Sequence, residues 1–341
     1  MNKKPILTIS IPTYNRSTYL AQTLKQLNSE LMSCNSESVE ILISDNASPD
    51  DTELVVKRFI SSGLAIRYIR NDKNIGSDAN IAQCFNLASG NFVLILGDDD
   101  LFVDNALSNL LASLSKANYG VVCLRSYGFD NDFRKEYPSG FGSNKSYDSS
   151  ATFLADIGPL MTLISGCVIN KNLLFGIDAN DYCGEHLVQV HLVIQSAIAA
   201  ENNLFIERYM IACKRNNSSG YNFSQVFVEN VGQVLDCYIG KGLKYDDVIK
   251  IERKFILSFF PFYLMKQRYY RQGDIASVYC RFKGRYGDRL SFYLWLYPIL
   301  KSPRWIAVAW GGGATLLGRS LNGDFLRGIK FAINKIKAAC N

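Results

Sequence analysis

The sequence predicts an α/β fold: an open, mostly parallel sheet with helices on both faces, followed by a C-terminal helical region. Three observations predict it. Short apolar runs and amphipathic helical segments alternate four times within about the first hundred residues, which is the pattern of parallel strands joined by crossover helices. Each apolar run stops at a cluster of polar residues. Beyond about residue 221 the pattern is helical, basic and aromatic throughout.

Residues 6–11 form the first expected strand, closed by the turn-prone Pro12-Thr13-Tyr14-Asn15-Arg16. Ser17 can cap a helix that carries Tyr19, Leu20, Leu24 and Leu27 at helical spacing. A second strand over 39–43 is stopped by Ser44-Asp45-Asn46-Ala47-Ser48-Pro49-Asp50-Asp51, and a helix with Leu54, Val55, Arg58 and Phe59 follows. The third strand, 65–69, meets a polar loop over 70–78 and then a helix through Ile81 and Phe85. The fourth, 92–96, ends at Gly97-Asp98-Asp99-Asp100. The carboxyl ends of the strands line the ligand crevice in such sheets, so Asp45, Asn74 and the acid triplet should converge on one edge. The order then loosens. Residues 130–150 read as a long loop, 151–200 as helix, a short strand over 165–169 and a helix from about Glu185. An apolar strand over 205–213 leads into Lys214-Arg215-Asn216-Asn217-Ser218-Ser219-Gly220.

A chain of 341 residues with 48% hydrophobic and 20% charged residues is an ordinary folded protein, not a disordered one. Its nine cysteines are scattered, odd in number and never spaced CxxC, which points to reduced thiols in the cytoplasm and away from disulfides or structural zinc. Met1-Asn2-Lys3-Lys4 begins like a signal peptide, but the apolar run after it is too short for one. No apolar stretch reaches the roughly 18 residues of a spanning helix. Residues 1–220 carry 18 Lys and Arg against 23 Asp and Glu, whereas 221–341 carry 19 against 8. That asymmetry predicts two domains, 1–220 and 221–341, with an anionic surface facing the second.

Three adjacent carboxylates repel one another and lose solvation near a buried strand unless a cation neutralises them. Hard oxygen ligands suit Mg²⁺ or Mn²⁺, which bind through one or two carboxylates plus substrate phosphates. Asp98, Asp99 and Asp100 are therefore the candidate metal ligands. The motifs Ile11-Pro12-Thr13-Tyr14-Asn15-Arg16, Ser44-Asp45-Asn46-Ala47-Ser48, Asn74-Ile75-Gly76 and Leu96-Gly97-Asp98-Asp99-Asp100 resemble the N-terminal half of a family 2 glycosyltransferase with the GT-A fold. The spacing Asn74-x-Gly76-x-x-x-Asn80 and the glycine before the acids are most similar to the abequosyltransferase-like branch of O-antigen synthesis. The resemblance is specific over about residues 5–105 and loose to about 220.

By that resemblance Pro12, Thr13 and Asn15 line the nucleotide pocket and Asp45 accepts from the base or ribose. Asn74, Gly76 and Asn80 close over the nucleotide, and Asp98 reaches the donor through the metal on its diphosphate. The family usually carries an acid where Gly97 stands. Asp99 best matches the last acid of its D-x-D, while Asp98-x-Asp100 is a literal D-x-D. The family base comes from a Gly-Glu-Asp-like stretch before a later helix, and here Cys183-Gly184-Glu185-His186 occupies that place. Glu185, His186 and Asp181 are the candidate bases, and Arg215 is a candidate partner for the diphosphate.

The segments 254–270 and 290–310 interleave Phe, Tyr and Trp with Lys and Arg, as a helical region lying on an anionic membrane or binding the acceptor would. Arg281, Lys283 and Arg285 are among the basic residues expected to meet lipid. Packed helical core is the plainer reading of the same aromatics, and no nucleic-acid motif supports a polynucleotide partner. Together these features imply a metal-dependent enzyme on the inner face of the cell membrane. It would move a hexose or deoxyhexose from a nucleotide-diphosphate sugar to a lipid-linked oligosaccharide in lipopolysaccharide synthesis. A nucleotidyltransferase, a nucleotide-sugar hydrolase and a non-catalytic membrane-surface module are the competing readings.

Overall fold

Consecutive positions of the first strand, Leu7, Thr8, Ile9, Ser10 and Ile11, are all completely buried, because both faces of its sheet are covered. The computed structural model describes residues 4–138, 142–215 and 220–321. Strands β1 (Leu7–Thr13), β2 (Val39–Asp45), β3 (Ile66–Arg70) and β4 (Phe92–Ile95) run parallel in the order β3-β2-β1-β4. Their crossovers are α1 (Ser17–Leu31), α2 (Thr52–Ser61) and α3 (Ser77–Leu87). Leu20, Leu24 and Leu27 of α1 are buried against the sheet, as their helical spacing requires.

Five further strands extend the sheet: β5 (Leu101–Phe102), β6 (Val121–Phe129), β7 (Lys145–Tyr147), β8 (Cys167–Asn170) and β9 (Asn203–Lys214). The order becomes β3-β2-β1-β4-β8-β6-β9-β5, with β7 on β9. This half is mixed. β8 is antiparallel to β4 and β6, and β5 and β7 are antiparallel to β9, while β6 and β9 are parallel. An unbroken parallel run thus belongs to the first four strands, with β6 and β9 a further parallel pair. β5 and β7, with two and three residues, are too short for a periodicity to announce them. The remaining helices of this half are α4 (Ala106–Leu114), α5 (Ser150–Ile157) and α6 (Val188–Ala199). The last starts three residues after the expected Glu185. Gly184 and His186 hold φ of 117° and 60°, a left-handed backbone that no right-handed helix contains.

The chain divides into two compact units, Met1–Ser219 and Gly220–Asn341. In the second, α7 (Val231–Asp236), α8 (Tyr245–Lys254), α9 (Phe260–Tyr270), α10 (Ile275–Tyr286), α11 (Leu290–Trp295), α12 (Tyr297–Lys301) and α13 (Arg304–Leu321) follow one another. Phe255, Phe260, Phe282, Tyr286 and Phe292 form its interior, so much of the aromatic run is core. Two of its basic residues are also inward. Arg285 donates through Nε to the buried Glu252 at 2.7 Å and also binds Asp236, and Arg281 lies 3.1 Å from Glu229. Arg285, expected to meet lipid, turns instead to a buried carboxylate that needs its cation, whereas Arg281, also expected there, pairs with Glu229, whose side chain is 40% exposed. Leu290, Tyr293, Leu294, Trp305, Trp310, Leu316 and Leu317 are exposed instead. Among the described residues no helix is long and apolar enough to cross a membrane.

Candidate functional site

Parallel strands deliver their carboxyl ends to one edge, and here that edge collects four polar segments. Thr13 and Asp45 are register partners at the ends of β1 and β2, and Asp45 is the partner of Arg70 at the end of β3. On the other side of β1, β4 delivers Gly97 to Asp100. Hydrogen bonds stitch these ends together. Thr13 Oγ1 donates to Asp98 Oδ2 at 2.8 Å, the Asn15 amide to Ser48 Oγ at 2.9 Å and the Ser17 amide to Asp50 at 2.8 Å.

The three carboxylates do not share a centre. Arg16 Nη2 donates to Asp99 Oδ2 at 2.8 Å, and its Nε lies 3.3 Å from Asp98 Oδ1. Asp100 turns inward and accepts from Ser165 Oγ at 2.6 Å, while Ser165 Oγ accepts the Gly97 amide at 2.8 Å. Asp100, expected among the metal ligands, is thereby a buried strut between β4 and the 164–166 turn. Side-chain exposure is 15% for Asp99 and 6% for Asp98, so Asp99 is the more open of the pair bridged by Arg16. Burial pushes the Asp98 carboxyl up to about 7 against the opposing pull of Arg16 and Thr13. Burial, then the charge of Asp99, pushes Asp100 to about 7 as well. A Cβ at position 97 would meet Asp100 Oδ2 and Asp99 Oδ1 at 3.2 Å, so glycine there gives both carboxylates room to fold back over the strand end.

Asp45 is fully buried. It accepts the Ser48 amide at 2.9 Å and the Tyr68 hydroxyl at 2.6 Å, with Arg70 Nε at 3.5 Å. Its carboxylate fixes the turn after β2. Asn46, which the sequence reading did not single out, organises the next loop. Its Nδ2 donates to Asn74 Oδ1 at 2.9 Å and Gly76 O at 3.2 Å, and its Oδ1 accepts the Ile75 amide at 2.9 Å and Asn71 Nδ2 at 3.2 Å. All four hydrogen-bonding positions of one carboxamide are used. Asn15, Asn74 and Gly76 remain exposed at the rim, and Pro12 is half-buried. Asn80, expected to close over the nucleotide, lies deeper. It is buried, accepts from Ser44 Oγ at 2.6 Å and donates to Ser44 O at 3.0 Å, tying α3 to β2.

The 179–187 segment packs beside α3. Asp181 is exposed in the turn Ala179–Tyr182, and the His186 side chain is 53% exposed. Glu185 Oε2 lies 3.6 Å from Nε2 of His191. The His191 ring stacks on Tyr182 at 4.5 Å, and burial, against the pull of Glu185, holds its pKa below the ordinary value, which favours the neutral imidazole. Asp78 of α3 accepts the Gly184 amide at 2.8 Å and the His186 amide at 2.9 Å. Arg215 is not brought to the strand ends. It binds Asp130 at 3.0 Å and Glu136 at 3.2 Å, where three backbone amides also converge on Glu136. Arg215, expected at the diphosphate, is held here by those two carboxylates. Residues 216–219 of the same expected loop lie outside the described residues. Asp78 and Ser165 were also missed. The one signal in the sequence is that Asp78 falls on the buried side of a helix whose other inward residues include Ala82, Cys84 and Phe85.

Residues 8–174 match the family model Glycosyl transferase family 2. The chain carries a family 2 glycosyltransferase domain of GT-A fold and is a glycosyltransferase. It is 27% identical over 229 residues to abequosyltransferase RfbV of Salmonella typhimurium, covering 63% of this chain and 68% of that protein. A GalNAc(5)-diNAcBac-PP-undecaprenol beta-1,3-glucosyltransferase of Campylobacter jejuni is 34% identical over 117 residues, which cover 34% of this chain and 36% of that one. Among solved structures, S. aureus TarS 1-349 in complex with UDP-GlcNAc superposes with a TM-score of 0.62 at 15% identity, over 93% of this chain and 91% of that chain. Mannosyltransferase PcManGT from Pyrobaculum calidifontis, in complex with GDP-Man and Mn²⁺, superposes with a TM-score of 0.51 at 15% identity, over 94% of this chain and 87% of that chain.

The raised carboxyl groups set a direction for stability against pH. Asp98 and Asp100 bind protons in the folded chain up to about pH 7, whereas an unfolded Asp releases them near 3.8. Between those limits the folded state holds more protons, so their contribution to stability falls as pH rises. Urea denaturation from pH 4.5 to 8 should show that decline, and Asp98→Asn should flatten it. An unchanged slope in the variant would contradict the burial-driven shift.

Proposed function

We propose that the protein transfers a hexose or deoxyhexose from a nucleotide-diphosphate sugar to a lipid-linked oligosaccharide in surface polysaccharide (O-antigen) synthesis. The observation that carries this reading is the single bonded group made by Thr13, Arg16, Asp98 and Asp99, beside the loop that Asn46 holds. The two carboxylates at its open side suit a hard divalent cation, and Arg16 between them marks a place that calls for positive charge. Asp99, with Asp98, would hold Mg²⁺ or Mn²⁺. Bound there, the metal supplies stabilisation of the charge that develops on the departing diphosphate. The cation would take its remaining ligands from the substrate phosphates.

Pro12, Asn15, Asn74 and Gly76 line the nucleotide in this reading, while Thr13, Asp45 and Asn80 hold those residues in place from below. Glu185 serves as the base. It takes the proton of the acceptor hydroxyl as that oxygen bonds to the anomeric carbon and the diphosphate leaves with the electrons of the broken bond. Its support is the His191 ring held 3.6 Å from its carboxylate, whereas the His186 side chain is half exposed and Asp181 sits on an open turn. Asp99→Ala should leave the fold intact and reduce turnover at least about a hundredfold, the scale of losing a main electrostatic stabiliser. Turnover near the wild-type rate in that variant, or in excess EDTA, would reject the metal assignment.

The lipid-linked acceptor and a location on the inner, cytoplasmic face of the cell membrane are supported by the PP-undecaprenol in the Campylobacter relative's name and by the second unit. That unit exposes Leu290, Leu294, Trp305 and Trp310, with Trp305 at 72% exposure, and Lys301 and Arg304 stand beside them. Apolar burial resists salt while attraction to anionic headgroups does not. The protein should sediment with phosphatidylglycerol vesicles, partly release at high salt, and lose the salt-resistant fraction in Trp305→Ser. Equal binding to neutral vesicles would refute the electrostatic half, and a wholly soluble protein at low salt would refute both.

A further inference from the structure

One carboxylate oxygen on the helix that follows the nucleotide-side loop holds both neighbours of Glu185. Asp78 Oδ2 accepts the amide of Gly184 at 2.8 Å and that of His186 at 2.9 Å, across more than a hundred residues of chain. The side chain of Asp78 is 12% exposed, and its second oxygen lies 3.9 Å from His186 Nδ1. The segment it grips is not one that relaxes there by itself. Gly184 has φ of 117° with open space where a Cβ would stand, so the backbone angle, not crowding, calls for glycine. His186 has φ of 60°, a conformation that costs a residue with a side chain about 1 kcal/mol or more. Two charge-assisted bonds from Asp78 offset that cost.

We propose that Asp78 is a positioning residue that acts through Glu185, and this rests on the reading of Glu185 as the base. With the amides on either side pinned to one oxygen, the Glu185 Cα is fixed in place, and His191 fixes the other end by lying 3.6 Å from its carboxylate. Asp78 stands two residues after Gly76, the carbonyl of which is bound by Asn46. The loop on the nucleotide side and the base therefore hang on the same turn of α3. A base displaced by about an ångström loses reach to the hydroxyl it must deprotonate, and such displacements cost up to about a hundredfold in rate.

The test is a double-variant cycle on the full chain, with nucleotide-diphosphate sugars as donors and lipid-linked oligosaccharides extracted from bacterial membranes as acceptor. Asp78→Asn keeps the side-chain volume but turns half of the acceptor into a donor. Its kcat should fall about tenfold or more with the KM for donor within about twofold, and the Gly184 and His186 amides should exchange with solvent at least about tenfold faster. If Asp78 acts through Glu185, Asp78→Asn combined with Glu185→Gln is no slower than Glu185→Gln alone. Multiplying losses would overturn the proposal, as would unchanged amide exchange. A slow Glu185→Gln beside an unimpaired Asp78→Asn would overturn the positioning role and leave the base intact. A fast Glu185→Gln beside a slow Asp78→Asn would overturn both. Should Asp78→Asn fail to fold, Asp78→Glu, which keeps an acceptor at the wrong reach, enters the same cycle.

Discussion

Negative charge gathered at the end of a buried strand is the constraint around which the first unit is arranged. Only Leu96 and Gly97 separate Asp98, Asp99 and Asp100 from β4, whose residues are all buried, so water alone cannot solvate them. The fold answers with three different devices. Arg16, reaching from the turn after β1, bridges Asp98 and Asp99. Ser165 and burial take Asp100 into the interior, where its carboxyl is pushed toward protonation. Thr13 and Thr23 then bind the Asp98 carboxylate and carbonyl from β1 and α1.

The second organising feature is a pair of polar side chains that hold loops by their backbones. Asn46 satisfies all its hydrogen-bonding capacity on the 71–76 loop, and Asp78 holds the 184–186 segment against α3. Each joins segments distant in sequence. Loops of this kind carry function on a rigid scaffold, and here the scaffold is the parallel half of the sheet. The second unit solves a different problem. Its aromatics divide between a packed interior and an exposed group that includes Leu290, Trp305 and Leu317, and two of its arginines, Arg285 and Arg289, surround the buried Glu252.

Much of this was legible in the sequence because it depends on short-range pattern. The alternation of apolar runs and amphipathic helices located β1 to β4 and α1 to α3, and the strand-end rule placed Thr13, Asp45 and the acids on one edge. What the pattern left out depends on contacts between distant residues. Nothing within a few positions of Asn80 or Arg215 announces that Ser44, Asp130 and Glu136 will engage them. The same holds for Asp100, which sits beside Asp98 and Asp99 in sequence yet turns to Ser165 in space. Arg281 and Arg285 looked like surface charge because periodicity alone does not reveal Glu229 and Glu252 opposite them. Asn15 and Asn74, by contrast, are exposed at the rim of the strand ends.

The central claim is that the open carboxylates at the end of β4 receive the cation that accompanies a nucleotide diphosphate. Anomalous diffraction at the manganese edge, from crystals grown with Mn²⁺ and a nucleoside diphosphate, tests it most directly. The account predicts a peak in contact with a carboxylate oxygen of Asp99, with Asn74 and Asn15 beside the nucleotide. Nucleotide bound at the strand ends without such a peak, or a manganese ion held elsewhere in the chain, would contradict it.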